Sequence, residues 1–230
     1  TRHDVLRLID NLRIRCYVKG PQTPISPSVP LVRTQGYTTT THTPIQITPQ
    51  PQVMPANNSE TIECEFLMKD GRYGCIAKDL TVSHISRVNG IHQQGKSNYD
   101  VQFFKASSRT LQYIPTGIKT QFPSITDLEF NFEQLIEIIE DDLRPFGNSL
   151  EYLAIKNSLI RVIPSNAFVL TPNIEYMVLI APNLKKVQTG AFEGLGKLNI
   201  LIVHFLCLNE GASNRNDVLR LIENMGRQCY

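Results

Sequence analysis

Apolar residues recur along the second half of the chain with a period in the mid-twenties. Blocks open at Val101, Ile125, Leu150, Ile174 and Leu198, giving spacings of 24, 25, 24 and 24. Within the blocks, apolar side chains fall at positions 1, 4, 6, 11 and 14. The third block supplies Leu150, Leu153, Ile155, Ile160 and Ile163, and the fourth Ile174, Met177, Leu179, Leu184 and Val187. A later apolar pair recurs as Phe168, then Phe192 and Leu195, and Pro115 and Pro164 follow position 14 of their blocks. Positions 4 and 6 are two apart, so they point to one side of a short strand, and positions 3, 5 and 7 point to the other. A repeat this short cannot bury its own apolar face. Stacked neighbours can, and the stack then needs a cap at each end.

This spacing resembles the leucine-rich repeat, LxxLxLxxNxLxxIPxxxFxxL. The resemblance implies an α/β solenoid: a horseshoe of about five repeats, with short parallel strands lining its concave face. The chain departs from the pattern at position 9, where the family carries an asparagine that ties adjacent turns together. Here that position holds Arg109, Glu133, Ser158, Pro182 and Leu206. Asn157 and Asn183 lie one residue away and are candidates for the same role. Without a regular ladder, irregular turns and a looser solenoid are expected.

A second repetition joins the two ends of the chain. Residues 1–17, TRHDVLRLIDNLRIRCY, match residues 214–230, NRNDVLRLIENMGRQCY, at ten of seventeen positions. In the second copy Val218, Leu221, Ile222 and Met225 fall at i, i+3, i+4 and i+7, the stripe of an amphipathic helix. Asn216 is a candidate cap and Asp217 suits the first turn. The helix is expected to lie as a lid on the core. Residues 1–17 read as the cap remnant of an upstream module.

Between that remnant and the repeats, residues 18–61 hold eight of the fourteen prolines and no acid before Glu60. Proline withholds backbone donors and interrupts helix and central strand. The segment is expected to be a Pro/Thr-rich linker, with threonines open to O-glycosylation and an N-glycosylation sequon at Asn57. Residues 62–100 then form an N-terminal cap, 101–206 the repeats and 207–230 a C-terminal cap.

Five cysteines fit this organisation. Cys64 and Cys75 flank CEFLMKDGRYGC, whose Asp70-Gly71 favours a hairpin, and are expected to bridge two cap strands. Cys207 ends the last repeat and Cys229 the capping helix, and their bridge would fasten that helix down. Cys16 matches Cys229, which leaves its partner in the missing module. Zinc or nucleophile roles would need other spacings, and no CxxC occurs. Structural disulfides require an oxidising compartment. These flanks resemble the caps of secreted leucine-rich-repeat proteins of insects. NGIHQQGKSNYDV, residues 89–101, is similar to the capping segment of mosquito and midge members. The resemblance implies a secreted interaction protein, with relatives in innate immunity.

Composition adds mainly exclusions. With 23 basic and 21 acidic residues the formal charge is +2, which carries no footprint for nucleic acid. No segment is long and apolar enough to span a bilayer. No nucleophile elbow, HExxH, phosphate loop or dinucleotide fingerprint is present, so no catalytic residue, metal or cofactor is expected. The acidic run from Glu137 to Asp142 reads as a solvated convex face rather than a cation site.

The register also predicts a binding face. Its first repeats present charged and polar residues at positions 3, 5 and 7, namely Lys105, Ser107, Asp127, Glu129 and Asn131, with Phe103 the one exception. The last two present Tyr176, Val178, Ile180, Ile200, Ile202 and His204, preceded by Tyr152 and joined by Phe205. A contiguous apolar patch facing water marks an interaction site. The expected partner is a protein or glycan ligand. The alternatives are self-association, as in a structural matrix protein of tandem modules, or cover from elsewhere in the same protein.

Overall fold

Each apolar block folds as one turn of a solenoid in the computed structural model, which describes residues 60–229. The readings made for residues 1–17 and 18–59, with Cys16 and Asn57, lie outside the described residues. Five strands begin at position 3 of their blocks: β5 (Phe103–Ser108), β6 (Asp127–Phe132), β7 (Tyr152–Lys156), β9 (Tyr176–Ala181) and β11 (Ile200–Phe205). They pair in parallel without a slip, position 3 against position 3 throughout. A sixth parallel strand, β3 (Arg72–Ala77), precedes them within the N-terminal cap and sets Gly74 against Phe103. The sheet has eight strands, because an antiparallel one closes each end: β2 (Glu65–Lys69) on β3 and β12 (Asn209–Ala212) on β11.

The core lies on one side of this sheet. Position 4 supplies Phe104, Leu128, Leu153, Met177 and Leu201, all 0% exposed, and position 6 supplies Ala106, Phe130, Ile155, Leu179 and Val203. Positions 11 and 14 reach the same core from the returning chain, and Phe168 packs on Phe192 at 5.4 Å between ring centres. On the far side, β8 (Val162–Ile163) and β10 (Lys186–Val187) add a short parallel pair. Another forms at the N-terminal end from β1 (Thr61–Glu63) and β4 (Arg87–Asn89). Two single-turn helices, α1 (Ile118–Gln121) and α2 (Glu140–Leu143), fill the remaining connections.

The strand layer is regular even though the asparagine ladder is missing. The carbonyl of each position 2, at Gln102, Thr126, Glu151 and Glu175, accepts from two amides of the next turn at 2.8 to 3.2 Å. The turn layer is where repeats differ. Ser108 replaces an asparagine in the first turn: its hydroxyl donates to the Leu80 carbonyl at 2.5 Å and accepts from the amides of Thr110 and Leu111. Asn157 does not take the ladder role. It is exposed in a left-handed conformation (φ 58°), and its amide donates to Asn131 Oδ1 at 2.6 Å. Asn183 is exposed as well.

Both caps hold disulfides. Cys64 bridges to Cys75 and Cys207 to Cys229, with Cα separations of 5.2 and 5.4 Å. The hairpin between β2 and β3 turns on Asp70 and Gly71, both at positive φ, as an Asp-Gly type I′ turn requires. At the other end α3 (Arg215–Gln228) buries Val218, Leu221 and Met225 over the last turn. Its cap is Asn214, whose side chain accepts from the Asp217 amide at 3.0 Å, while Asn216, the expected cap, lies inside the helix. Arg215 reaches back to the Leu195 and Leu198 carbonyls and satisfies acceptors that the end of the stack leaves open. No helix among the described residues is long and apolar enough to cross a membrane.

Candidate binding face

Alternation along the strands leaves positions 3, 5 and 7 on the side of the sheet away from the core, the concave face of the repeat. Its two halves differ. On the N-terminal half, Arg72 at the start of β3 pairs with Asp127 on β6 and with Glu151, at 3.2 Å, just before β7. Beside this pair, Glu129 sits between two lysines, Lys105 at 3.1 Å and Lys156 at 2.8 Å. Burial works against the Glu129 carboxylate, but the flanking lysines outweigh it and hold its pKa below the usual range. At Asp127 burial wins: it pushes the carboxyl up, and Arg72 only partly opposes it. Gly74 is required at its place, because a Cβ there would meet the Phe103 ring at 2.3 Å.

From β7 onward positions 3 and 5 carry apolar or tyrosine side chains, and position 7 is mixed, with Lys156, Ile180 and His204. Ala154, Val178 and Ile202, the position 5 row, form a second apolar cluster separate from the core. Tyr152, Tyr176, Ile180 and Ile200, from rows 3 and 7, pack around them. The rings of Tyr152 and Tyr176 meet edge to face, 5.0 Å apart. Tyr152 marks the boundary between the halves: burial, then the nearby Glu129 carboxylate, raise its pKa.

The structure places the expected face residues in three groups. Tyr152, Tyr176, Ile180, Ile200 and His204 are half-buried and line the apolar half. Val178 and Ile202 lie beneath them, each 1% exposed, because the flanking rows lean over the central one. Phe205 corrects the expectation. It points into the main core at 4% exposure, as the sixth residue of β11 must by alternation with Leu201 and Val203. His204 sits between Ile180 and Asn209, and its Nδ1 is shut from solvent with no partner among the described residues. Sequence reasoning missed Ala154 as the third floor residue. It also missed Arg72 and Glu151, which complete the charged half from outside the counted blocks.

The remaining polar candidates have structural partners. His92 stacks on Phe66 at 3.8 Å and bonds through its two nitrogens to Tyr73 and Asn98 in the N-terminal cap. Within the acidic run, Glu140 and Asp141 pair with Arg144, and Asp142 accepts from the Ile139 amide.

No family model matches the chain, and no curated protein matches it. Among solved structures, the Toll–Spatzle complex contains a similar chain. That complex is described as a molecular hub in Drosophila development and innate immunity. The likeness has 17% identity and a TM-score of 0.42, and covers 54% of this chain and 17% of that chain. This chain thus spans well under two thirds of the length of its structural neighbour. The architecture itself is that of a leucine-rich-repeat solenoid with a disulfide at each end.

Proposed function

We propose that the protein is an extracellular recognition module, and that it binds a protein ligand on the C-terminal half of the concave face. One observation carries this reading. The charged half satisfies its own groups through ion pairs, whereas the apolar half presents Tyr152, Tyr176, Ile180 and Ile200, half-buried around an apolar floor of their own that is separate from the core. Half-buried tyrosines and isoleucines around a packed floor suit the centre of a protein interface: large apolar area, few rotors to freeze and hydroxyls at the edge. Two disulfides call for an oxidising compartment, which fits secretion. The cap resemblance to secreted insect proteins supports the same setting and an immune role. The reading is non-catalytic.

The test is differential capture. The full chain is immobilised and exposed to extracellular fluid beside two variants, Tyr176→Ser/Ile200→Ser and Lys105→Ser. A ligand retained by wild type and Lys105→Ser but lost by the double variant supports the reading. A ligand that all three retain places binding elsewhere.

A further inference from the structure

A sheet that is not closed has two edges, and this one treats them differently. At the C-terminal edge, β12 covers β11 and α3 packs against both strands. At the N-terminal edge, β2 pairs only with β3, in an unbroken register from Glu65↔Ile76 to Lys69↔Arg72. Among the described residues, no main-chain hydrogen bond joins 65–69 to any other segment. The two-residue Asp70-Gly71 loop makes Lys69 and Arg72 a hydrogen-bonded pair, and such pairs alternate along an antiparallel ladder. The amides and carbonyls of Glu65, Leu67 and Lys69 therefore turn toward β3. Those of Phe66 and Met68 turn outward, an open template for another strand.

We propose that β2 pairs with β2 of a second copy, antiparallel about Leu67, and joins two solenoids edge to edge. The sequence of the strand, Glu65-Phe66-Leu67-Met68-Lys69, is self-complementary in this arrangement. Glu65 falls opposite Lys69 of the second copy, and the symmetry makes that pair twice. Phe66 falls opposite Met68 of the second copy, and these are the residues whose main-chain groups face outward. They exchange four hydrogen bonds across the join. Met68, 47% exposed in the single chain, gains an aromatic neighbour. Parallel pairing would set Glu65 against Glu65 and Lys69 against Lys69, and a two-residue slip loses a charge pair on each side, so one register is selected. The strand holds no proline or bulge, and its two charges repel most other strands while matching their own copy. Glu65 now pairs with Lys78 at 3.1 Å, but both side chains are exposed, so that contact competes weakly. The join is short and the dimer therefore weak. Its consequence is a continuous sheet with two concave faces on one side, able to hold a repeating ligand by avidity.

Sedimentation velocity of the full chain over a concentration series tests this. Wild type is expected to dimerise reversibly. Glu65→Lys and Lys69→Glu each set like charges opposite one another twice, and each should weaken the dimer roughly tenfold or more. An equimolar mixture of these two variants pairs Lys with Glu at both ends and should restore a heterodimer. The double swap E65K/K69E in one chain should restore the homodimer. Met68→Pro, which removes an outward amide without touching the bonds to β3, should leave a folded monomer. The proposal is overturned if wild type stays monomeric to its solubility limit. It is equally overturned if the charge variants dimerise like wild type, or if neither mixture nor double swap recovers association.

Discussion

On β5 and β6 the solvent face of the sheet carries Lys105 and Glu129; on β9 and β11 the same register positions carry Val178 and Ile202. The backbone beneath is the same parallel ladder. The charged half keeps its side chains in place through ion pairs that water can still reach, at 38% and 15% exposure for Lys105 and Glu129. The apolar half keeps its side chains in place by packing, to the point that position 5 disappears from the surface. A position that faces solvent by alternation is thus solvent-facing only where its neighbours leave room. Small Ala154 and β-branched Val178 and Ile202 fit under their flanks, and lysine or glutamate would not.

The largest test of this difference is a carboxylate in the central row. Val178→Asp or Ile202→Asp places a charge at a site 1% exposed, without a cation beside it, and should cost about 3 kcal/mol or more in urea denaturation. These two substitutions therefore report on folding and not on docking, which is why Tyr176 and Ile200 are the residues to change in a binding test. Lys105→Ala, at the same register position on β5, should cost under about 1 kcal/mol. Equal losses at the two positions would show that the halves are not built differently.

Glu129→Gln comes next. It leaves Lys105 and Lys156 facing one another across a neutral amide, and a loss of about 1 kcal/mol is expected. Acid should reproduce it. The flanking lysines hold the Glu129 pKa in the fold below the ordinary glutamate value of 4.5, so its contribution is present above that pH and is lost as pH falls through the lowered pKa. Asp127 is raised and works in the opposite sense, gaining stability as it protonates. Denaturation of wild type and Glu129→Gln at a series of pH values isolates the first effect. The gap between them should be constant above pH 4.5 and close below it. A gap that persists in acid would mean the lysines are not what holds the carboxylate.

How much of this was legible beforehand follows from what a period encodes. Spacing fixed which residues face the core, since positions 4, 6 and 11 repeat in every turn and leave one register, and the five strands start where it places them. Spacing also assigned Tyr176, Val178, Ile200 and Ile202 to the other face. It carries nothing about lateral packing, which depends on the size of neighbours two residues along the strand and on the adjacent strands, and so Val178 and Ile202 read as exposed. Phe205 was misplaced for a simpler reason: alternation continues to the end of β11 and turns it inward. The substitute at Ser108 stood one position before the expected asparagine, where no family pattern points. β3 lies 29 residues before β5, outside the counted period, and so the cap's parallel strand and Arg72 went unread.

The smallest expected effect sharpens the comparison most. Replacing the charged triad together, Lys105→Met, Glu129→Leu and Lys156→Met, removes two ion pairs and leaves no charge unpartnered. Isosteric apolar replacement of an ion-pair cluster is often neutral or mildly stabilising, because the desolvation cost disappears along with the attraction. Stability should therefore change by less than about 1 kcal/mol, even though Glu129→Gln alone costs that much. What should change is the boundary. The apolar half would extend from β7 across β6 to β5 and bring Tyr152 inside a larger patch rather than at its edge. Association through the concave face should rise, seen as self-association that Glu65→Lys does not reverse, while edge pairing through β2 keeps its own sensitivity to that substitution. If the triple variant unfolds, the ion pairs are structural and the charged half is more than a solvated version of the apolar one. If it folds and no new association appears, apolar character alone does not make this face a docking surface, and the shape set by Tyr152 and Tyr176 carries the recognition.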